Sequence, residues 1–183
     1  MPRHEARPAL EQATLLDSAR PLAEFALTDS LGHNYRRDNL RGQWTLMFFG
    51  FTNCPDVCPT TLAALADVRR QLKDLPQAEL PAVVFVSVDP GRDTPEALGR
   101  YVAHFDPQFL GVTGKLEALE VLTRVLGVAV SIGVPEEDGS YTVDHTAAIF
   151  LIDPDAALRA VFGGPHTADV IARDYRSIVA AAR

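Results

Sequence analysis

Trp44 to Phe51 reads Trp-Thr-Leu-Met-Phe-Phe-Gly-Phe, with no polar side chain after Thr45. An apolar run without alternation suits a β-strand covered on both faces, which commits the chain to a sheet with a packed layer on either side. Val83-Val84-Phe85-Val86-Ser87-Val88 is a second such run. Between the two, Leu62, Leu65, Val68 and Leu72 recur at three- and four-residue steps, the period of an amphipathic helix running from about Pro59 to Leu75. Pro59 suits a first helical turn, which has no use for the missing N–H.

The same alternation continues downstream. Thr94-Pro95-Glu96 reads as N-cap, first position and favourable N-terminal acid of a helix reaching about Phe105. Leu110 to Val112 reads as a short strand, Lys115 to Leu126 as a helix and Val128 to Val134 as extended chain. After the acidic turn Pro135 to Gly139, Tyr141 to Val143 and Thr146 to Ile152 read as strand, Asp153 to Ala156 as a turn into Leu158 to Phe162, and Thr167 to Ala181 as a last helix. Strands alternating with helices predict an α/β fold: a central mixed sheet flanked by helices, with the closing hairpin as its antiparallel edge. Phe25 to Gly32 reads as a strand entering a turn. Residues 1–21 carry Pro2, Pro8 and Pro21 with no sustained period and read as a flexible segment. Residues 22–183 read as one domain.

With 183 residues, 47% of them apolar, the chain is long enough for one well-packed core. A net charge of −7 argues against a nucleic-acid partner, which would need a basic patch. No run of about 18 apolar residues exists to span a membrane, and Met1 to Arg20 lacks the apolar stretch of a signal peptide.

Both cysteines, Cys54 and Cys58, fall where the first apolar run gives way to the helix. Such closely spaced cysteines make a poor structural staple, because the loop they close is tiny. Metal binding or redox work is the better reading. The positive end of the helix dipole is expected to lower their pKa values and favour thiolate. A pair of inert buried cysteines is the competing reading, although Pro, Asp and Thr at a turn are unusual company for it. Two thiolates under-fill a metal site, so a third donor must come from elsewhere.

Five histidines are available. His4 lies in the N-terminal segment, His33 in a polar turn, His104 near a helix end and His166 just before the last helix. His145, in Tyr141-Thr142-Val143-Asp144-His145-Thr146, stands where the acidic loop meets an apolar strand. It reads either as a hydrogen-bonded structural residue or as the missing donor. A Cys2His set is incomplete for structural zinc but suits copper, Cu(I) above all. Asp89 ends the second central strand near the same end of the sheet. It reads as an orienting residue, an acid/base partner or simply a turn residue.

Phe49-Gly50-Phe51-Thr52-Asn53-Cys54-Pro55-Asp56-Val57-Cys58-Pro59-Thr60-Thr61 resembles the signature of the Sco/SenC family. Ser87-Val88-Asp89-Pro90-Gly91-Arg92-Asp93-Thr94-Pro95, Leu110 to Gly114 and Tyr141 to Thr146 are similar to its other motifs. The resemblance covers about Leu22 to the C-terminus. It departs at Gly91, where the family usually shows Glu, and at Ala156, where a turn Gly is common.

The resemblance implies a thioredoxin-like fold with inserted elements. It further implies a copper-binding assembly factor for the CuA centre of cytochrome c oxidase, holding Cu(I) or Cu(II) through Cys54, Cys58 and His145, with Asp89 nearby. The implied partners are the CuA-bearing oxidase subunit and a periplasmic copper chaperone as donor. The implied location is the periplasmic side of the bacterial inner membrane or an equivalent extracytoplasmic compartment, reached through an N-terminal anchor that these residues lack. A second reading keeps the cysteine pair but makes the chain a thiol-disulfide reductase of the CuA-site cysteines. A third, thiol peroxidase, lacks the Pro-x-x-x-Thr-x-x-Cys loop it would need.

Overall fold

The computed structural model describes residues 8–183. An eight-stranded mixed sheet runs through the molecule in the order β1-β10-β9-β4-β5-β6-β2-β3. Its centre is β4 (Thr45–Gly50), parallel to β5 (Ala82–Ser87), which is parallel to β6 (Leu110–Thr113). On the other side of β4 lies β9 (Ile149–Ile152), antiparallel, followed by β10 (Ala157–Phe162). At the far margin β2 (Ala26–Asp29) pairs with β6 and with β3 (Asn34–Arg36).

The unbroken apolar runs have the predicted cause. Leu46 and Phe48 of β4, Val83 and Phe85 of β5, and Ile149 and Leu151 of β9 enter one core cluster. Met47, Phe49, Val84, Val86, Phe150 and Ile152, the alternate positions, enter the other. The first cluster is covered by α1 (Val57–Gln71), α2 (Pro95–Ala103) and α4 (Ala168–Ala181), and the second takes Leu119, Leu122 and Leu126 of α3 (Leu116–Leu126). Thr94 caps α2 as expected, accepting from Ala97 N at 3.2 Å, with Pro95 at the first turn. No helix among the described residues is long and apolar enough to cross a membrane.

The N-terminal expectation is corrected in part. Residues 1–7 and His4 lie outside the described residues, but Ala13–Pro21 form β1, an edge strand antiparallel to β10. The strand is fastened from the other end of the chain. Buried Asp174 of α4 accepts the backbone N–H groups of Glu11, Gln12 and Ala13 at 2.8–3.2 Å. The closing hairpin β9–β10 is therefore internal to the sheet, with β1 as the margin. It turns through Ala156 at φ 59°, the left-handed region in which glycine would be unstrained.

The stretch read as one strand from Thr146 is shorter and begins at Ile149. Before it, β7 (Val130–Ile132) and β8 (Val143–His145) form a separate two-stranded hairpin outside the main sheet.

Candidate metal centre

Strand direction brings the site together. β4 ends at Gly50 and delivers residues 51–57 at the carboxyl edge of the parallel strands, the side on which open α/β sheets place their sites. Because β9 runs antiparallel to β4 with Ile149 opposite Phe48, the chain preceding Ile149 arrives at that same edge. His145 is thereby set above the cysteine turn, 145 − 54 = 91 positions downstream of Cys54.

Cys58 Sγ and His145 Nε2 are 3.7 Å apart, and His145 Nδ1 lies 3.1 Å from the Thr146 carbonyl oxygen. With Nδ1–H donating to that carbonyl, Nε2 is left as the free lone pair facing sulfur. The imidazole stands edge-on to Phe48 and Phe51, with ring centroids 6.2 and 5.9 Å away. Cys58, in the first turn of α1, is fully buried, whereas Cys54 is half-buried; both are free thiols. Gly50 makes room for Cys58, since a Cβ there would come within 2.6 Å of its sulfur and 2.7 Å of the Phe85 ring.

The expectation of low thiol pKa values fails at Cys58. Its burial pushes the thiol far above the ordinary range; an interaction with the Phe51 backbone pulls it down, and neighbouring Cys54 and Asp93 push it up again. Desolvation outweighs the field of the helix start here. A cation bound at the sulfur would reverse that preference, because a coordinating thiol gives up its proton.

Asp89 does not bond either sulfur or the imidazole. Its oxygens are taken by Tyr141 Oη at 2.6 Å and by Arg92 Nε at 2.5 Å. Asp93, which the sequence reading passed over, is the carboxylate that knits the floor. It accepts from Thr52 N at 3.0 Å, Thr52 Oγ1 at 2.5 Å and Ser87 Oγ at 2.6 Å, joining the cysteine turn to the loop after β5. Its position just before the Thr94 cap was the available signal.

The other described histidines have other partners. His33 pairs with Asp29 at 3.5 Å, His104 closes α2 against Phe105, and His166 donates to the Ala147 carbonyl at 3.0 Å while packing on Phe48.

No group of three or more His, Cys, Asp or Glu side chains stands in metal-holding geometry among the described residues. Cys58 and His145 are already adjacent, and the partly exposed Cys54 interacts with Cys58. Two thiols and one imidazole would make a donor set soft enough for Cu(I) and too small for a closed zinc site.

Comparison with known proteins matches residues 14–180 to the SCO1/SenC family. The mitochondrial SCO2 homolog of Mus musculus is 41% identical over 158 residues, 86% of this chain; the match spans 62% of that relative's length. Apo Sco1 of Thermus thermophilus superposes with a TM-score of 0.82 at 35% identity, covering 94% of this chain and 99% of that one. ScoI of Arabidopsis thaliana with copper bound gives 0.80 at 33% identity, covering 86% and 97%. The fold is thus the thioredoxin-like fold of Sco proteins. A sequence match that begins inside β1 and ends inside α4, together with superpositions covering 86% and 94% of the chain, places this chain in the SCO1/SenC family.

Proposed function

We propose that the chain is a copper metallochaperone that takes Cu(I) on Cys54, Cys58 and His145 and delivers it for assembly of the CuA centre of cytochrome c oxidase. The observation that carries this is the 3.7 Å approach of His145 Nε2 to Cys58 Sγ, with Cys54 beside it on the accessible side. A three-donor site that is open on one edge can receive a soft cation and release it to a partner whose own donors enter from that edge. The copper held by the Arabidopsis relative supports the choice of metal. The mitochondrial relatives support an extracytoplasmic or equivalent location; the recipient in this reading is the oxidase's CuA-bearing subunit.

The test is a Cu(I) titration of the reduced protein under a competing chelator. The His145→Ala variant is expected to lose about tenfold or more in affinity, the loss of one good donor contact. Unchanged affinity overturns the assignment.

The unequal exposure of the two free thiols favours one second reading, a reductase of the CuA-site cysteines. Cys54 as thiolate attacks the target disulfide, releasing one target thiolate and leaving a mixed disulfide. Cys58 then attacks Cys54 sulfur, giving a Cys54–Cys58 disulfide and the second target thiol. Loss of target reduction in Cys58→Ser, with copper affinity intact, would favour this reading.

A further inference from the structure

The hairpin that carries His145 closes its backbone bonds on itself. Beyond the β7–β8 ladder, Thr146 N donates to Ala129 O at 3.0 Å and Gly133 N to Thr142 O at 2.8 Å. Its attachment to the body depends on side chains. Val143 is buried in the core cluster, and Tyr141 donates its hydroxyl to Asp89 Oδ1 at 2.6 Å. Asp89 is only 2% exposed, and its other oxygen takes Arg92 Nε. The Arg92 guanidinium lies 3.8 Å above the Tyr141 ring and 5.9 Å from the Phe51 ring, and its Nη1 donates to the Tyr141 carbonyl at 3.4 Å. Phe51 in turn meets the His145 ring at 5.9 Å.

We propose that Asp89, Arg92 and Tyr141 form a clamp that holds the hairpin shut and so sets the separation of His145 from Cys58. The clamp's geometry stands without copper; only its purpose rests on the copper reading. Tyr141 and Arg92 are positioning residues, since neither bonds a proposed donor. The charge arrangement makes the clamp releasable. Asp89 and Arg92 belong to the same loop, so when the hairpin lifts, the buried carboxylate keeps its cation and no orphaned charge is left behind. Beyond the burial of Val143, opening gives up one charge-assisted hydroxyl bond, one ring–cation contact and one long bond to a carbonyl.

Gly91 fits the same picture: a Cβ there would stand 3.2 Å from Tyr141 Oη, so glycine leaves the hydroxyl its seat.

The test uses Tyr141→Phe, which removes only the hydroxyl, and Arg92→Gln. In the reduced, metal-free protein, alkylation of Cys58 is followed by mass spectrometry with Cys54 as internal reference, and hydrogen exchange is read over residues 130–145. Cys58 is expected to react about tenfold faster relative to Cys54, the effect of losing one charge-assisted bond on a two-state equilibrium, with faster exchange in the hairpin. In Cu(I) competition, Tyr141→Phe is expected to weaken binding about tenfold in the wild-type background and not at all in a His145→Ala background, because the clamp acts through that imidazole. Unchanged Cys58 alkylation and hairpin exchange in both variants overturns the clamp, as does an equal loss of copper affinity with and without His145. Faster alkylation combined with a His145→Ala variant of undiminished affinity keeps the clamp and overturns the copper ligation.

Discussion

Cys58 and His145 face each other across 3.7 Å but are held in different ways. Cys58 is embedded where β4 passes into α1, against Gly50 and the Phe85 ring, in one of the two main clusters. His145 rides on a hairpin outside the eight-stranded sheet, held by Val143 and the Tyr141–Asp89–Arg92 contacts. One side chain shares the stability of the whole domain, and the other has the lower stability of a peripheral element. Under the proposed function, that division would keep the thiols in register yet admit a partner.

The difference can be broken first at the rigid half. Phe48→Ala, at a fully buried ring touching both His145 and His166, is expected to cost about 3–5 kcal/mol in denaturant unfolding. Gly50→Ala pushes a methyl into Cys58 sulfur and should cost about 1–3 kcal/mol by the same measurement. Asp93→Ala strands the donors of Thr52 and Ser87, for about 1–3 kcal/mol.

Val143→Ala sharpens the contrast from the other side. It should cost less than about 1 kcal/mol globally while hydrogen exchange in β7–β8 rises markedly, because the hairpin can open without the sheet. Equal global losses from Val143→Ala and Gly50→Ala would erase the distinction.

The smallest effect is a pH dependence. Burial holds His166 below the ordinary imidazole value, against the pull of the Ala147 carbonyl. As pH falls through about 6.5, the unfolded chain takes up this proton before the folded one does. The stability contribution is therefore present above that range and lost below it. A His166→Gln variant should show a flatter acid limb in unfolding free energy against pH.

Much of the frame was readable in the chain. The apolar runs at Trp44 to Phe51 and Val83 to Val88 are strands because both their faces are covered, and Thr94-Pro95 starts a helix by local bonding alone. Cys54 and Cys58 could be located at a strand-to-helix turn for the same reason. Residues 13–21 could not be read, since the carboxylate that fastens the start of β1, Asp174, is more than 150 positions away. The Thr146 to Ile152 reading failed at its first residues because residues 146–148 connect the outer hairpin to β9, with Thr146 N bonded to Ala129 O, a contact that depends on the hairpin's tertiary pairing.

What the sequence determined by itself was therefore whatever depends on near neighbours: hydrophobic period, capping, turn chemistry and the identity of the possible donors. Only the tertiary structure decided how those side chains are placed and surrounded. Antiparallel pairing of β9 with β4 set His145 over Cys58. Burial overrode the helix field and raised the Cys58 pKa, because desolvation depends on everything packed around the sulfur. Asp89, read from its place at a strand end as a residue near the metal, holds Arg92 within its own loop and gains Tyr141 as a partner only when the hairpin folds back onto the body.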